Sequence, residues 1–192
     1  IVQVYVESPL VWGIHVDAKS KYQTLSDLEN TTVAISRLGS GSQLMAYVNA
    51  NSQGWNTDNL KFEIVNTIDG AVESLSKGES DYFMWEKFMT KPLVDKGIFR
   101  KVADCPTPWP CFVIAVRDEV LKKHPNTIAQ ILEIINIKTQ SFKEIEGIDA
   151  VLAEKYHQKI EDIQEWLSIT EWSQSELSNE MLNKIQNQLF DL

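Results

Sequence analysis

The sequence predicts an α/β fold with a mainly parallel sheet, and three observations carry that reading. Between residues 32 and 85, short β-branched and aromatic runs alternate with short helical patterns, the signature of βαβ units with right-handed crossovers. Past Arg117 only helical periodicity is left. Between these regions, Cys105 to Pro110 holds three of the six prolines, a stiff extended stretch suited to a hinge.

Taken in order, Ile1 to Val16 is β-branched and aromatic with a break at Ser8-Pro9, so two strands are expected. Ser26 with Glu29 makes a capping-box pattern that starts a short helical turn. Thr32 to Ser36 is a strand, and Arg37 to Ser42 is a glycine-serine loop. Gln43 to Asn51 is a helix on the spacing of Leu44, Tyr47 and Val48. The cycle repeats with a strand from Leu60 to Val65 and a helix from Asp69 to Lys77 that Gly78 ends. Asp81 to Trp85 is the third strand. A helix from Glu86 must stop or kink around Pro92, and Ile98 to Val102 is one further short strand.

The apolar run Cys111 to Val116 is strand-sized. Pro125 suits a helix start, and Ile128, Ile131, Leu132, Ile135, Phe142 and Ile145 keep the 3.6-residue period. Helices over Ala150 to Tyr156, Ile160 to Leu167 and Ser175 to Leu189 complete the chain. No internal repeat or low-complexity tract is present.

Composition narrows the function. The 192 residues, 43% hydrophobic and 23% charged, can bury a core, which excludes disorder. Eighteen basic against twenty-seven acidic residues give a net charge of −9, which disfavours nucleic acid as a partner. No apolar run is long enough to span a bilayer. Cys105 and Cys111 match no zinc signature and leave the redox compartment open. The chain begins at Ile1 with no signal-peptide pattern, so it reads as a piece of something longer.

The strongest local motif is Ser36-Arg37-Leu38-Gly39-Ser40-Gly41-Ser42-Gln43. Glycines at a strand-to-helix turn let backbone N–H groups converge on a ligand oxygen at the positive end of a helix. Arg37 adds a planar fork for carboxylate, sulfonate or phosphate, and the serine hydroxyls add further donors. A tight turn with no ligand is the bland alternative. A P-loop is excluded because Ser42-Gln43 stands where lysine and Ser or Thr are needed, and a dinucleotide fingerprint because Leu44 stands in place of its third glycine. No cofactor is expected.

Ligands of open α/β sheets sit beyond the carboxyl ends of the strands, so Ser36, Asn66 and Glu86 should face one cleft. Trp85 could stack on a flat ligand while Glu86 accepts from its amine or amide, core filling and an exposed helix-start acid being the plain alternatives. Trp12 and Trp109 lie on the crossing segments and could wall a site or simply pack. Cys111 fits an unreactive thiol better than a nucleophile. His15, His124 and His157 are scattered and suggest no metal site. No catalytic residue is assigned.

Five blocks together resemble a known fold: Ser8-Pro9-Leu10-Val11-Trp12-Gly13; Leu25-Ser26-Asp27-Leu28 before a strand; Ser36 to Ser42; Trp85-Glu86-Lys87-Phe88-Met89-Thr90-Lys91-Pro92; and Thr107-Pro108-Trp109-Pro110-Cys111-Phe112. They look like a type 2 periplasmic-binding-protein fold, in the solute-binding-like family found in bacteria and in fungi such as Candida. That family is similar to sulfonate, nitrate and taurine transport receptors and to thiamine-pyrimidine synthase proteins.

The resemblance implies two lobes with mainly parallel sheets, the first incomplete at the N-terminus. Residues 1–16 would end lobe one and make the first crossing, 17–104 would form the complete lobe two, and 105–192 would return to a helix-rich part of lobe one. It further implies an interlobe cleft that closes on a small, anionic solute held by Ser8, Trp12, Ser36, Arg37, Gly39, Ser40, Gly41, Ser42, Asn66, Trp85, Glu86, Trp109 and Cys111. The implied protein is a monomer without catalysis whose partner is an ABC-transporter membrane component. Transport receptors of this kind are periplasmic or lipid-anchored, and the fungal relatives intracellular. Two alternatives stand: an enzyme of the pyrimidine-synthase kind, for which the Cys105 to Cys111 stretch lacks the cysteine-rich iron motif, and an interaction module with a vestigial cleft.

Overall fold

The structure is a computed structural model and describes residues 1–190. Its elements run β1 (Gln3–Val6), β2 (Val11–Asp17), β3 (Thr32–Ile35), α1 (Gly41–Gln53), β4 (Lys61–Ile64), α2 (Ile68–Lys77), β5 (Tyr82–Glu86), α3 (Lys87–Asp95), β6 (Phe99–Pro106), β7 (Phe112–Ile114), α4 (Asp118–Lys123), α5 (Pro125–Ser141), α6 (Ile148–Tyr156), α7 (Ile160–Ile169) and α8 (Asn179–Phe190). Short 3₁₀ turns lie at Leu25–Leu28, Thr57–Asn59 and Phe142–Glu144. Backbone packing divides the chain into two compact units, Ile1–Pro9 with Pro108–Asn187, and Leu10–Thr107.

The unit Leu10–Thr107 is an α/β layer structure. Its five-stranded sheet has the order β4-β3-β5-β2-β6. β3 runs parallel to β4 and β5, and β2 runs antiparallel to β5 and β6, so four of the five strands point one way. Period-2 alternation sorts the side chains cleanly. Ile14, Val16, Val33, Ile35, Tyr82 and Met84 share one buried cluster with Met45 and Ala46 of α1. Ala34, Phe83 and Phe99 share the other with Ala71 and Leu75 of α2, flanked by Leu93 and Val94 of α3. Helices thus cover both faces, which is why these strands read as nearly continuous apolar runs.

Several sequence expectations shift. Val11–Asp17, the second of the two strands expected at the start of the chain, is an internal strand flanked by β5 and β6. β6 is longer than the expected Ile98 to Val102 and takes in Cys105 and Pro106, where Pro106 pairs with Val11 at the last rung. The N-terminal cap of the Leu25–Leu28 turn is Thr24 with Asp27, not Ser26 with Glu29: the Asp27 carboxylate accepts the N–H groups of Gln23 (2.8 Å) and Thr24 (2.9 Å). Pro92 neither stops nor ends α3, which continues to Asp95. A proline forfeits one i→i−4 bond, and packing of Leu93 and Val94 against the Phe83–Phe99 cluster holds the last turn.

The unit Ile1–Pro9 with Pro108–Asn187 pairs β1 with β7 antiparallel and is otherwise helical in its regular structure. Gln3 and Asn136 exchange amide hydrogen bonds at 2.7 and 3.2 Å, tying β1 to α5. Trp172 meets Phe142 and Trp166 edge-on. Val4, Val6 and Ile163 are its buried apolar side chains among the described residues. No helix among the described residues is long and apolar enough to cross a membrane.

Candidate functional site

β3, β4 and β5 lie side by side and run the same way, so their carboxyl ends bring Ser36, Asn66 and Glu86 to one end of the sheet. β2 runs the opposite way and starts there, which adds Trp12, the register partner of Glu86. The end is fixed by reciprocal bonds between Leu10 and Thr107: the Leu10 N–H donates to Thr107 Oγ1 (3.0 Å) and the Thr107 N–H to the Leu10 carbonyl (2.9 Å).

The bend between β3 and α1 is built from its own side chains. Gly39 takes a left-handed φ of +71°, open to glycine at no steric cost, and its N–H donates to Gln43 Oε1 at 2.7 Å. Ser40 is the N-cap of α1, its Oγ accepting the Gln43 N–H at 3.3 Å. Ser42 Oγ accepts the Ser36 N–H at 2.9 Å and lies 2.9 Å from Ser40 Oγ and 3.4 Å from Ser36 Oγ. The serine hydroxyls, expected to face a ligand, therefore turn inward and brace the loop; Ser40 and Ser42 are buried. What faces outward is backbone and Arg37. Gly41 and Arg37 are exposed, and the N–H groups of Gly41 and Ser42 have no acceptor among the described residues.

Trp12 lies along the first turn of α1. A Cβ on Gly41 would stand 3.1 Å from its Cη2 and 3.3 Å from its Cζ2, so the absence of a side chain lets the indole approach. Trp12 meets Trp85 edge-to-face at 6.1 Å, and Trp85 stacks on Phe83 at 5.4 Å. Trp12 Nε1 is buried without a conventional acceptor. Trp85 is thus half-buried and packs against the core through Phe83.

Glu86 does something other than await an amine. Its Oε1 accepts the Phe88 N–H (3.1 Å) and its Oε2 the Met89 N–H (2.8 Å), which makes it the N-cap of α3. Burial pushes its pKa up, and these two N–H donors work against that rise. Asn66 is exposed with a left-handed φ of +61°, closing β4 just before Thr67, whose Oγ1 accepts the Gly70 N–H and caps α2.

Three helices, α1, α2 and α3, thus start at one end of the sheet, and their first turns differ in charge. α2 carries Asp69 there and α3 is capped by the Glu86 carboxylate. α1 has a neutral serine cap and no acid in its first turn. Its positive end is the one left uncompensated by protein. Of the three arginines, Arg100 is tied to Gln23, Ser20 and Tyr22 and Arg117 pairs with Glu119, while the Arg37 guanidinium makes no hydrogen bond or ion pair among the described residues.

The remaining predicted residues lie in the other unit. Ser8 Oγ accepts the Glu171 N–H at 3.0 Å, a structural bond. Trp109 and Cys111 are half-buried. Burial pushes the Cys111 thiol up to about 11, and that of Cys105 likewise. Among the described residues, no three His, Cys, Asp or Glu side chains gather where they could hold a metal ion.

Sequence reasoning missed two residues that shape this end. Gly70 sits so close to β4 that a Cβ would lie 2.0 Å from the Val65 carbonyl oxygen. His15, fully buried, bonds Thr90 of α3 through Nε2 at 2.9 Å. Its signal was the alternation in Trp12-Gly13-Ile14-His15-Val16, which puts His15 on a covered face once β2 is recognised as internal. A cavity of about 700 Å³ at the opposite end of the sheet, lined in part by Asp17, Tyr22, Leu75 and Asp81, is a weaker candidate. Its Tyr22 hydroxyl already donates to Asp81, which also takes the Thr32 N–H.

Comparison with known proteins agrees with this architecture. Residues 12–105 match the family described as Ca3427-like PBP. The product of the conserved Candida albicans CA3427 gene, reported to exhibit the generic periplasmic binding protein fold, superposes with a TM-score of 0.80 at 24% identity, over 90% of this chain and 57% of that one. The alkanesulfonate-binding protein SsuA from Xanthomonas axonopodis pv. citri, bound to MOPS, gives 0.71 at 15% identity, over 97% and 66%. The periplasmic aliphatic sulphonate binding protein SsuA from Escherichia coli gives 0.69 at 18% identity, over 97% and 62%. The chain therefore spans between 57% and 66% of the length of these structures. No curated protein sequence matches it. The fold is that of the periplasmic binding proteins, as the five sequence blocks implied.

Proposed function

From that fold we propose that the chain is a non-catalytic solute-binding protein, and that it holds a small oxyanion with an apolar body at the bend between β3 and α1. One observation carries the reading: α1 alone of the three helix starts is uncompensated, with the Gly41 and Ser42 N–H groups open and the unpaired Arg37 guanidinium four residues ahead of Gly41. Backbone donors at a positive helix end and a planar cation suit a sulfonate, carboxylate or phosphate head. The Trp12 and Trp85 rings, with the exposed Leu38 in the bend after β3 and Met89 in the first turn of α3, suit an uncharged apolar body. The Glu86 carboxylate is occupied by α3, so an amine on the ligand is not required.

The SsuA proteins that share the fold are described as binding sulfonates, which supports an anionic solute without naming it. The raised thiols of Cys105 and Cys111 support a role without a cysteine nucleophile, since little thiolate exists at neutral pH. As a receptor of this kind, the protein would act as a monomer that presents its solute to an ABC-transporter membrane component. Isothermal titration with methanesulfonate, acetate and inorganic phosphate tests the reading: at least one should bind saturably, and Arg37→Ala should weaken it by tenfold or more. Unchanged affinity in that variant would refute the assigned role.

A further inference from the structure

The bend before α1 holds a capping box without its usual charge. In that motif a Ser or Thr N-cap accepts the N–H of the third helical residue, and a Glu or Gln at that position reaches back to a backbone N–H at the helix start. Here Ser40 Oγ accepts the Gln43 N–H at 3.3 Å, and Gln43 Oε1 accepts the Gly39 N–H at 2.7 Å. The Ser40 N–H is taken by the Arg37 carbonyl at 3.2 Å. A glutamate, equal in length, can make the Gly39 bond with one carboxylate oxygen. It would also gain from the positive end of the helix, which favours a carboxylate in the first turn. Glutamine forgoes that gain.

The other helical starts of the unit Leu10–Thr107 do carry the charge. Asp27 stands at the third position of the Leu25–Leu28 turn, where its carboxylate accepts the Gln23 and Thr24 N–H groups. Asp58 lies in the Thr57–Asn59 turn, Asp69 in the first turn of α2, and Glu86 caps α3. Ser40, Gly41, Ser42 and Gln43 at the start of α1 are all neutral. Asp27 and Gln43 do the same hydrogen-bonding work, so the need for an acceptor does not explain the difference between them. What sets α1 apart is its surroundings: the open Gly41 and Ser42 N–H groups, the Arg37 guanidinium at the head of the bend and the Trp12 indole against the first turn.

We propose that Gln43 is the charge selector of this site: it gives the bend the hydrogen bond of a capping-box glutamate and leaves the positive end of α1, with Arg37, to a negatively charged solute. The inference rests on reading the bend between β3 and α1 as the oxyanion site. A carboxylate at position 43 would be a resident anion. It would compensate the helix end, draw the Arg37 guanidinium to itself and repel an incoming sulfonate, and all three effects fall on the same turn. Gln43 is half-buried, so water screens such a charge less than it would on a free side chain.

The test compares Gln43→Glu and Gln43→Met with the wild type, first without ligand and then in titrations with methanesulfonate at constant ionic strength. Without ligand, ¹³C NMR should find the introduced carboxyl of Gln43→Glu titrating below the ordinary glutamate value of about 4.3. Its urea midpoint at pH 7 should equal or exceed that of the wild type, and any gain should vanish as pH falls through the lowered pKa. With methanesulfonate, Gln43→Glu should bind about tenfold or more weakly. Gln43→Met loses the Gly39 bond but stays neutral; its midpoint should fall while its affinity stays within about threefold of wild type, because the lost bond joins two groups of the fold. An introduced carboxyl that titrates at or above the ordinary value overturns the selector without reference to any ligand. A wild type that binds while Gln43→Glu binds equally well, or while Gln43→Met loses as much as Gln43→Glu, overturns the selector and leaves the oxyanion site standing. A wild type that binds no anion overturns the site and the selector together. Should Gln43→Glu fail to fold, the assumption that glutamate can replace glutamine in the bend is wrong and the selector falls with it.

Discussion

Replacing Gly70 with alanine probes how the helix starts are seated on the sheet. The added Cβ would lie 2.0 Å from the Val65 carbonyl oxygen, about 1.4 Å closer than ordinary contact permits, and the obstacle is backbone, which has no rotamer to yield. Overpacking of this kind costs about 2–3 kcal/mol. Lifting α2 would also break the Thr67–Gly70 cap at 3.1 Å, worth about 1 kcal/mol. The better helix propensity of alanine returns at most about 1 kcal/mol. The expected net loss is about 2–3 kcal/mol, read as a lower midpoint in urea at an unchanged m-value. Gly41→Ala is the matched control: there the neighbour is the edge of an indole at 3.1 Å, which can swing by a few tenths of an ångström. Its stability should change by less than about 1 kcal/mol, within the usual range for sites that relax. A Gly70→Ala variant as stable as wild type, or a Gly41→Ala variant that loses more than Gly70→Ala, would refute this account of the two helix starts.

Two further outcomes follow from the site. His15 has a folded pKa of about 4 against 6.5 in the unfolded chain, so the unfolded state takes up its proton first as pH falls. Stability should be unaffected by this group above pH 6.5, decline between 6.5 and 4, and reach a loss of about 3 kcal/mol below that. Denaturation at a series of pH values should show this slope in wild type and not in His15→Gln; a matching slope in both would contradict it. Glu86→Ala removes a cap and should cost about 1 kcal/mol of stability while leaving anion affinity within twofold. A large affinity loss on titration with an anion would restore Glu86 to the ligand.

The strands were legible because they are internal: Val33 to Ile35 and Tyr82 to Met84 are apolar on both faces, and a sheet covered on both sides demands that. The α1 helix was legible in extent but not in orientation. Leu44, Tyr47 and Val48 show the period, yet the structure buries Met45, Ala46, Asn49 and Ala50 most deeply. Asn49 is 1% exposed, and hydrophobic periodicity cannot see a buried amide. The glycine-serine loop announced its position correctly and its chemistry only in part. Which donors of Ser36 to Ser42 face outward depends on a network closed by Ser42 Oγ and Gln43, and a sequence of hydroxyls does not say which way each turns. Glu86 illustrates the same limit: a carboxylate at a strand end reads alike whether it awaits an amine or caps the next helix. Gly70 escaped because its reason is a carbonyl five residues back, brought close by the turn after β4.

The most direct measurement is a ¹H–¹⁵N spectrum of the chain titrated with methanesulfonate at constant ionic strength. If the start of α1 takes the anionic head, the Gly41 and Ser42 amides should show the largest shifts, saturating together, and the same titration of Arg37→Ala should require at least tenfold more ligand. Gly41 and Ser42 signals that stay in place while other amides saturate, or that move no further than with sodium chloride alone, would contradict it.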